Sequence, residues 1–116
     1  MEQIQANQVA QWAQDARNAA ADSQPIVLDV REAWEVQQAA IQAPEACGFV
    51  HISMGTVPVR LSELDKDQPI ACLCHHGGRS MQVAMFLQGQ GFSKVVNIAG
   101  GIDAWSTQVD PTIPRY

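Results

Sequence analysis

The stretch Ile70-Ala71-Cys72-Leu73-Cys74-His75-His76-Gly77-Gly78-Arg79-Ser80 decides the fold. Its first five residues are apolar without a break, the pattern of a strand buried on both faces, as in a parallel sheet. A polar, glycine-rich loop from His75 to Gly78 follows. From Arg79 to Gln90 the apolar residues Met81, Val83, Ala84, Phe86 and Leu87 recur at helical spacing, with Gly91 where a helix stop belongs. Strand, loop and helix in that order put a thiol at the carboxyl end of a central strand, just ahead of a helix N-terminus. In open α/β sheets ligands bind at that place.

The same alternation extends on both sides. After Asn7, read as an N-cap, Val9, Ala10, Trp12, Ala13 and Ala16 mark an amphipathic helix that Asp22 and Ser23 end. Pro25 introduces a short strand, Ile26-Val27-Leu28-Asp29-Val30, and the spacing of Trp34, Val36 and Ala40 predicts a helix over 31–41. A loop from Gln42 leads into a short strand over 49–52, a short helix is expected over 59–64, and Asp65-Lys66-Asp67 reads as a polar turn. Downstream come a strand over 94–98, a turn at Ala99-Gly100-Gly101, a helix over 102–109 and a tail, 110–116, that holds Pro111 and Pro114. Alternating strands and helices imply an α/β domain, a parallel sheet covered on both faces. One domain spanning 1–116 is expected, with its core over about 4–109.

Composition narrows the function. With seven Lys and Arg against twelve Asp and Glu, the net charge is −5, and no basic cluster stands out. Nucleic acid and anionic membranes are therefore not expected as partners. The longest apolar runs, such as Val83 to Leu87, are far too short to span a bilayer, and Met1 to Gln11 have neither the basic start nor the apolar stretch of a signal peptide. Three cysteines, Cys47, Cys72 and Cys74, are an odd count without an export signal, which points to free thiols in a reducing, cytoplasmic setting. A monomer is expected.

The chemistry lies in the loop after Cys74. Two glycines let its backbone curl so that successive amide N–H groups converge, and the following helix adds partial positive charge at the same point. The result is a cradle for an anion: a thiolate, a persulfide or an approaching oxyanion. Cys72 is one strand period away from Cys74, too close in sequence for disulfide geometry, and reads as a core residue. Cys72, Cys74, His75 and His76 are all ligand types, yet they lack the paired spacing of a tetrahedral site, so no metal is expected. Cys47 reads as a thiol without function. Trp105, Trp12 and Trp34 read as packing residues.

Cys74-x-x-Gly77-x-Arg79-Ser80 resembles the active-site loop of the rhodanese family. Asp29-Val30-Arg31-Glu32 is similar to that family's motif after an early strand, and Asn97-x-x-Gly100-Gly101-x-x-x-Trp105 resembles its closing segment. The three matches lie in the family's order and cover roughly Ile4 to Ser106. The resemblance implies a five-stranded parallel sheet flanked by helices on both faces and no metal or organic cofactor. It also implies a sulfurtransferase in which Cys74 takes sulfane sulfur from a donor such as thiosulfate or a persulfide. The sulfur then passes to cyanide or a thiol, and a protein of a sulfur relay is a further partner class. By position, Cys74 is the nucleophile and His75, His76, Gly77, Gly78 and Arg79 form the anion-binding loop. Arg79 would close that loop and help hold an anion, while Asp29 and Arg31 would support it from the side.

Two departures are visible. The stretch Val36 to Gly48 replaces a compact Gly-His-Ile-Pro-Gly-Ala segment, and His75 and His76 stand where thiosulfate-using members carry basic residues. Histidine supplies less positive charge at neutral pH than lysine or arginine. Two other function classes compete. Cysteine phosphatases and arsenate reductases use Cys-x-x-x-x-x-Arg, one residue longer than here, and the smaller ring of this loop suits a single sulfur atom better than a tetrahedral phosphate. Non-catalytic rhodanese-like modules that bind a protein partner often lack the cysteine that this chain retains.

Overall fold

The computed structural model describes residues 1–116. Five strands, β1 (Gln3–Gln5), β2 (Ile26–Asp29), β3 (Gly48–His51), β4 (Ile70–Leu73) and β5 (Val95–Ala99), form one sheet in the order β1-β5-β4-β2-β3, and every pair is parallel. Three α-helices, α1 (Val9–Ala19), α2 (Ala33–Gln38) and α3 (Gly78–Gly89), lie between strands, 3₁₀ turns link β3 to β4, and α4 (Gly101–Gln108) follows β5. The fold is α/β, a five-stranded parallel sheet flanked by helices, as the resemblance implies. β4 has β2 on one side and β5 on the other. The connection leaving β2 runs to the β3 edge and that leaving β4 runs the opposite way to β5. This reversal opens a crevice at the carboxyl ends of β2 and β4.

Strand periodicity splits the core into two layers. Ile26 and Leu28 of β2, Ile70 and Cys72 of β4, and Val95 of β5 join Val83, Ala84 and Leu87 of α3 on one face. Val27, Ala71, Leu73, Val96 and Ile98 point the other way, toward Val9 of α1 and Ile102 and Trp105 of α4. Cys72 lies wholly within the first layer, and burial pushes its thiol up to about 12. Trp105 is likewise buried, and Trp12 packs against the second layer.

Several sequence expectations need correction. The first strand, β1, was not legible: Gln3-Ile4-Gln5 offers one apolar residue, because an edge strand buries only Ile4 while the flanking glutamines face outward. Helix α1 starts at Val9 behind a 3₁₀ turn over Ala6–Gln8, so Gln8 rather than Asn7 is its N-cap. The helix expected over 31–41 contracts to α2, with Glu32 as N-cap and its first turn closed by Glu35. Ala39 is extended, and Ala39 and Ile41 enter the second core layer from a non-helical segment. The short helix expected over 59–64 is present as a 3₁₀ helix, Pro58–Glu63. Trp34 is not a packing residue of the core: it is 63% exposed, and its ring lies 6.1 Å from that of Tyr116 in a T-shaped pair.

Residues 110–116 return to the body. Ile113 is buried in the second core layer, and its carbonyl accepts a hydrogen bond from Ser106 Oγ at 2.7 Å. Arg115 pairs with Asp103 of α4, and Tyr116 reaches the carboxyl end of the sheet. Ile113→Ala is expected to lower the unfolding free energy by about 2 to 4 kcal/mol, the usual range for emptying a buried Ile site. Urea unfolding measures this directly, and an unchanged midpoint would show that the strap contributes nothing to the core.

Candidate active site

Cys74 follows the last residue of β4, at the mouth of the crevice, and is 1% exposed. The backbone then turns through His75 and His76 to Gly77, whose φ of 109° is open to glycine at little cost, and α3 begins at Gly78. The Gly77 N–H donates to Cys74 Sγ at 3.0 Å.

The loop holds this shape because donors outside it take its carbonyls. In the first turn of α4, the Ile102 N–H donates to the Cys74 carbonyl at 2.8 Å and the Asp103 N–H to the His75 carbonyl at 3.1 Å. Asn97 Nδ2 on β5 donates to the Gly77 carbonyl at 3.1 Å, while Asn97 Oδ1 accepts from Ser80 Oγ at 2.5 Å and so ties β5 to α3. The peptides are trans, so drawing the Cys74 and His75 carbonyls toward α4 turns the N–H groups of His75 and His76 the opposite way. Gly101 makes this close approach possible. A Cβ there would lie 2.4 Å from both the Cys74 and His75 carbonyl oxygens, and its φ is 59°.

A buried ionic network supports the loop from the β2 side. Arg31, 0% exposed, has all five N–H groups engaged: Nε and one Nη2 hydrogen with Asp29, the other Nη2 hydrogen with the Ala39 carbonyl, and Nη1 with the Glu35 carbonyl and Tyr116 hydroxyl. Such full satisfaction is what makes a buried pair tolerable. Glu35, also buried, receives Arg79 in a two-pronged contact, Nη1 to Oε1 at 2.6 Å and Nη2 to Oε2 at 2.8 Å. Arg79 therefore closes the loop by tying the start of α3 to α2, and its charge is matched by Glu35 rather than left free. The Arg79 guanidinium holds the Glu35 carboxyl down at about 2, and the carboxylate in turn raises Arg79.

The two histidines form a stack. The His75 ring lies 3.9 Å from that of His76 on one side and 3.9 Å from the Tyr116 ring on the other, where the planes are 6° apart. His76 is exposed. Burial disfavours the protonated form of His75 and lowers its pKa. Asp29, Arg31, Cys74, His75, His76, Gly77, Gly78 and Arg79 thus meet at one end of the sheet. Glu35 and Tyr116 belong with them and were missed. Glu35 carried a faint signal, lying four residues after Arg31 and three after Glu32; Tyr116, at the end of a proline-bearing tail, carried none. Cys47 is remote on the lead-in to β3, where burial raises its thiol to about 11.

A cysteine whose sulfur meets a loop amide, between a parallel strand and a helix, defines a cysteine-dependent group-transfer site on an α/β sheet. The rhodanese-like domain family matches residues 10–108. A sulfurtransferase of Allochromatium vinosum is 35% identical over 94 residues, covering 80% of this chain and 83% of that protein. The chloroplast rhodanese-like/PpiC domain-containing protein 12 of Arabidopsis thaliana is 46% identical over 91 residues; these are 78% of this chain, which spans only 30% of that longer protein. Among solved structures, a rhodanese-related protein from Thermoplasma volcanium superposes over the whole of both chains with a TM-score of 0.74 at 25% identity. The chain belongs to the rhodanese family and is a rhodanese-type sulfurtransferase. No helix is long and apolar enough to cross a membrane.

Two predictions follow from the geometry. Gly101→Ala combines left-handed backbone strain with two sub-van der Waals contacts, and is expected to destabilise the fold by roughly 3 kcal/mol or more. A Cβ on Gly78 meets open space, so Gly78→Ala should unfold within about 1 kcal/mol of wild type in the same urea titration. The second concerns acid. Glu35 is held below its unfolded value of about 4.5, so its contribution is complete above that pH and is lost as the pH falls toward 2. Wild-type stability should drop by about 3 kcal/mol more than that of Glu35→Gln between pH 5 and pH 2. Equal acid slopes for the two proteins would contradict the pairing.

Proposed function

We propose that this protein carries sulfane sulfur as a persulfide on Cys74, taking it from thiosulfate or from another persulfide and passing it to cyanide or a thiol. The observation that carries the proposal is the set of bonds around the loop. The Gly77 N–H faces Sγ while the carbonyls of Cys74, His75 and Gly77 are all drawn off to α4 and Asn97. A site arranged in that way stabilises negative charge on sulfur with dipoles already in place.

In the first step the Cys74 thiolate attacks the outer sulfur of the donor. The new S–S bond forms as the donor's own bond to that sulfur breaks, and the donor leaves with the electron pair, as sulfite from thiosulfate or as a thiolate from a persulfide. In the second step an acceptor thiolate or cyanide attacks the outer sulfur of the Cys74 persulfide, leaving a new persulfide or thiocyanate and restoring the thiolate. No net oxidant is needed. The amides of His75, His76, Gly77, Gly78 and Arg79 hold the sulfur anion in both resting states, and Asp29 and Arg31 keep the β2 side of the loop in place. The thiol's near-complete burial favours slim nucleophiles and electrophiles that approach along one line. Because Arg79 is matched by Glu35, amide dipoles rather than a free guanidinium carry the anion binding. A persulfide donor, including one on a relay protein, suits this site at least as well as doubly charged thiosulfate.

Intact mass after incubation with thiosulfate, and separately with glutathione persulfide, tests the proposal. Wild type should gain about 32 Da, one sulfur atom, removable by dithiothreitol, and Cys74→Ser should gain none. Equal gains in the two proteins would move the sulfur to another cysteine and overturn the assignment.

A further inference from the structure

Tyr116 joins the buried ion pairs to the ring of His75. Its hydroxyl donates to Glu35 Oε2 at 2.6 Å and accepts from Arg31 Nη1 at 3.0 Å, so it stands between the two ion pairs of the network. Its ring lies nearly parallel to that of His75, 3.9 Å away, and His75 is the residue directly after Cys74. The strap bearing Tyr116 is pinned by Ile113 in the core and by Arg115 on Asp103, the α4 residue whose amide grips the His75 carbonyl. Both the backbone and the ring of His75 are therefore fixed from outside the loop, by α4 and by the strap respectively.

We propose that Tyr116 is a positioning residue of the sulfur-transfer site, acting through His75 with its ring and through Glu35 with its hydroxyl. The inference rests on the sulfur-transfer reading given above. Two features of His75 show what the ring does. Its Nε2 is buried and has no hydrogen-bond partner, so a proton there would be unsolvated. The charged or titratable groups facing it are His76 in the loop, Glu35 on α2, Asp103 on α4 and Tyr116 itself; burial of the ring, helped by His76, outweighs the backbone contact to Tyr116 and the two carboxylates, leaving His75 lowered. Tyr116 thus holds the first residue after Cys74 flat, with its ring covered on one face. A loop held in this way loses less freedom when a persulfide forms, which lowers the barrier to loading without adding any contact to the donor.

The ring and the hydroxyl are separable. Tyr116→Phe keeps the stack and removes the bridge; Tyr116→Ala removes both; Tyr116→Leu keeps bulk over the strap without a planar partner and serves if the alanine variant does not fold. Two readouts apply to the full chain: the NMR titration of the His75 ring, and the rate of the 32 Da gain from glutathione persulfide across pH 5.5 to 8. Tyr116→Phe is expected to keep the wild-type His75 midpoint, because the stack remains, and to load about threefold more slowly, because the bridge between Arg31 and Glu35 is lost. Tyr116→Ala or Tyr116→Leu is expected to move the His75 midpoint up toward the ordinary value of about 6.5. Loading in that variant should slow roughly tenfold while still reaching one sulfur per chain, with the rate profile following the new midpoint. If the variant lacking the ring titrates and loads as wild type does, Tyr116 is merely part of the strap and the proposal fails alone. If wild type gains no sulfur from any donor, the transfer reading falls and takes this proposal with it.

Discussion

Two backbone carbonyls, those of Cys74 and His75, point into the first turn of α4, and the rest of the site depends on that contact. A loop of this length would otherwise let its carbonyls crowd the sulfur as readily as its amides. Anchoring the carbonyls on Ile102, Asp103 and Asn97 removes that alternative and leaves amide hydrogens on the side of the thiol. The anchoring demands a residue without a Cβ at position 101, since any side chain would overlap both carbonyl oxygens. A glycine twenty-seven residues downstream of the cysteine therefore shapes the electrostatics of the sulfur.

The ionic network on the other side of the crevice serves the same end by different means. Asp29 and Arg31 are fully buried, and a buried ion pair seldom adds net stability over apolar packing. Its value here is directional. Arg31 spends its five hydrogens on β2, α2 and the strap, so these three elements meet in one arrangement, and Glu35 then presents both oxygens to Arg79 at the start of α3. The price of that order is sensitivity: each member is buried among partners it needs, and losing any one strands a charge. Arg79, which the sequence offers as an anion ligand, is spent on this scaffold. On the proposed reading, what remains to hold a sulfur anion is the backbone, and a loop with His75 and His76 in place of lysine or arginine can serve.

Legibility in the sequence followed the strength of local patterning. The run Ile70 to Cys74 and the helix after it were readable because burial on both faces and helical spacing each leave a mark within a few residues. The Cys74 loop was readable for a similar reason, since glycines and the cysteine sit together in the chain. Elements defined by distant partners were not. Strand β1 is a strand because Gln3 to Gln5 lie against Asn97 to Ala99, and nothing in its own composition says so. The pairing of Arg79 with Glu35 spans forty-four residues and that of Tyr116 with Glu35 spans eighty-one. Trp34 misled in the opposite sense, for a large ring at helical spacing ordinarily marks a core face, and here α2 is too short to bury it.

The central claim is that backbone amides of the loop carry the charge of the sulfur on Cys74. The most direct test follows the backbone ¹H–¹⁵N resonances of the protein before and after loading with one sulfane sulfur, and again after dithiothreitol. The account predicts reversible shifts concentrated at His75, His76, Gly77, Gly78 and Arg79, largest at Gly77, whose N–H already meets Sγ. A loaded protein whose loop amides stay where they were, with shifts elsewhere in the chain, would contradict it.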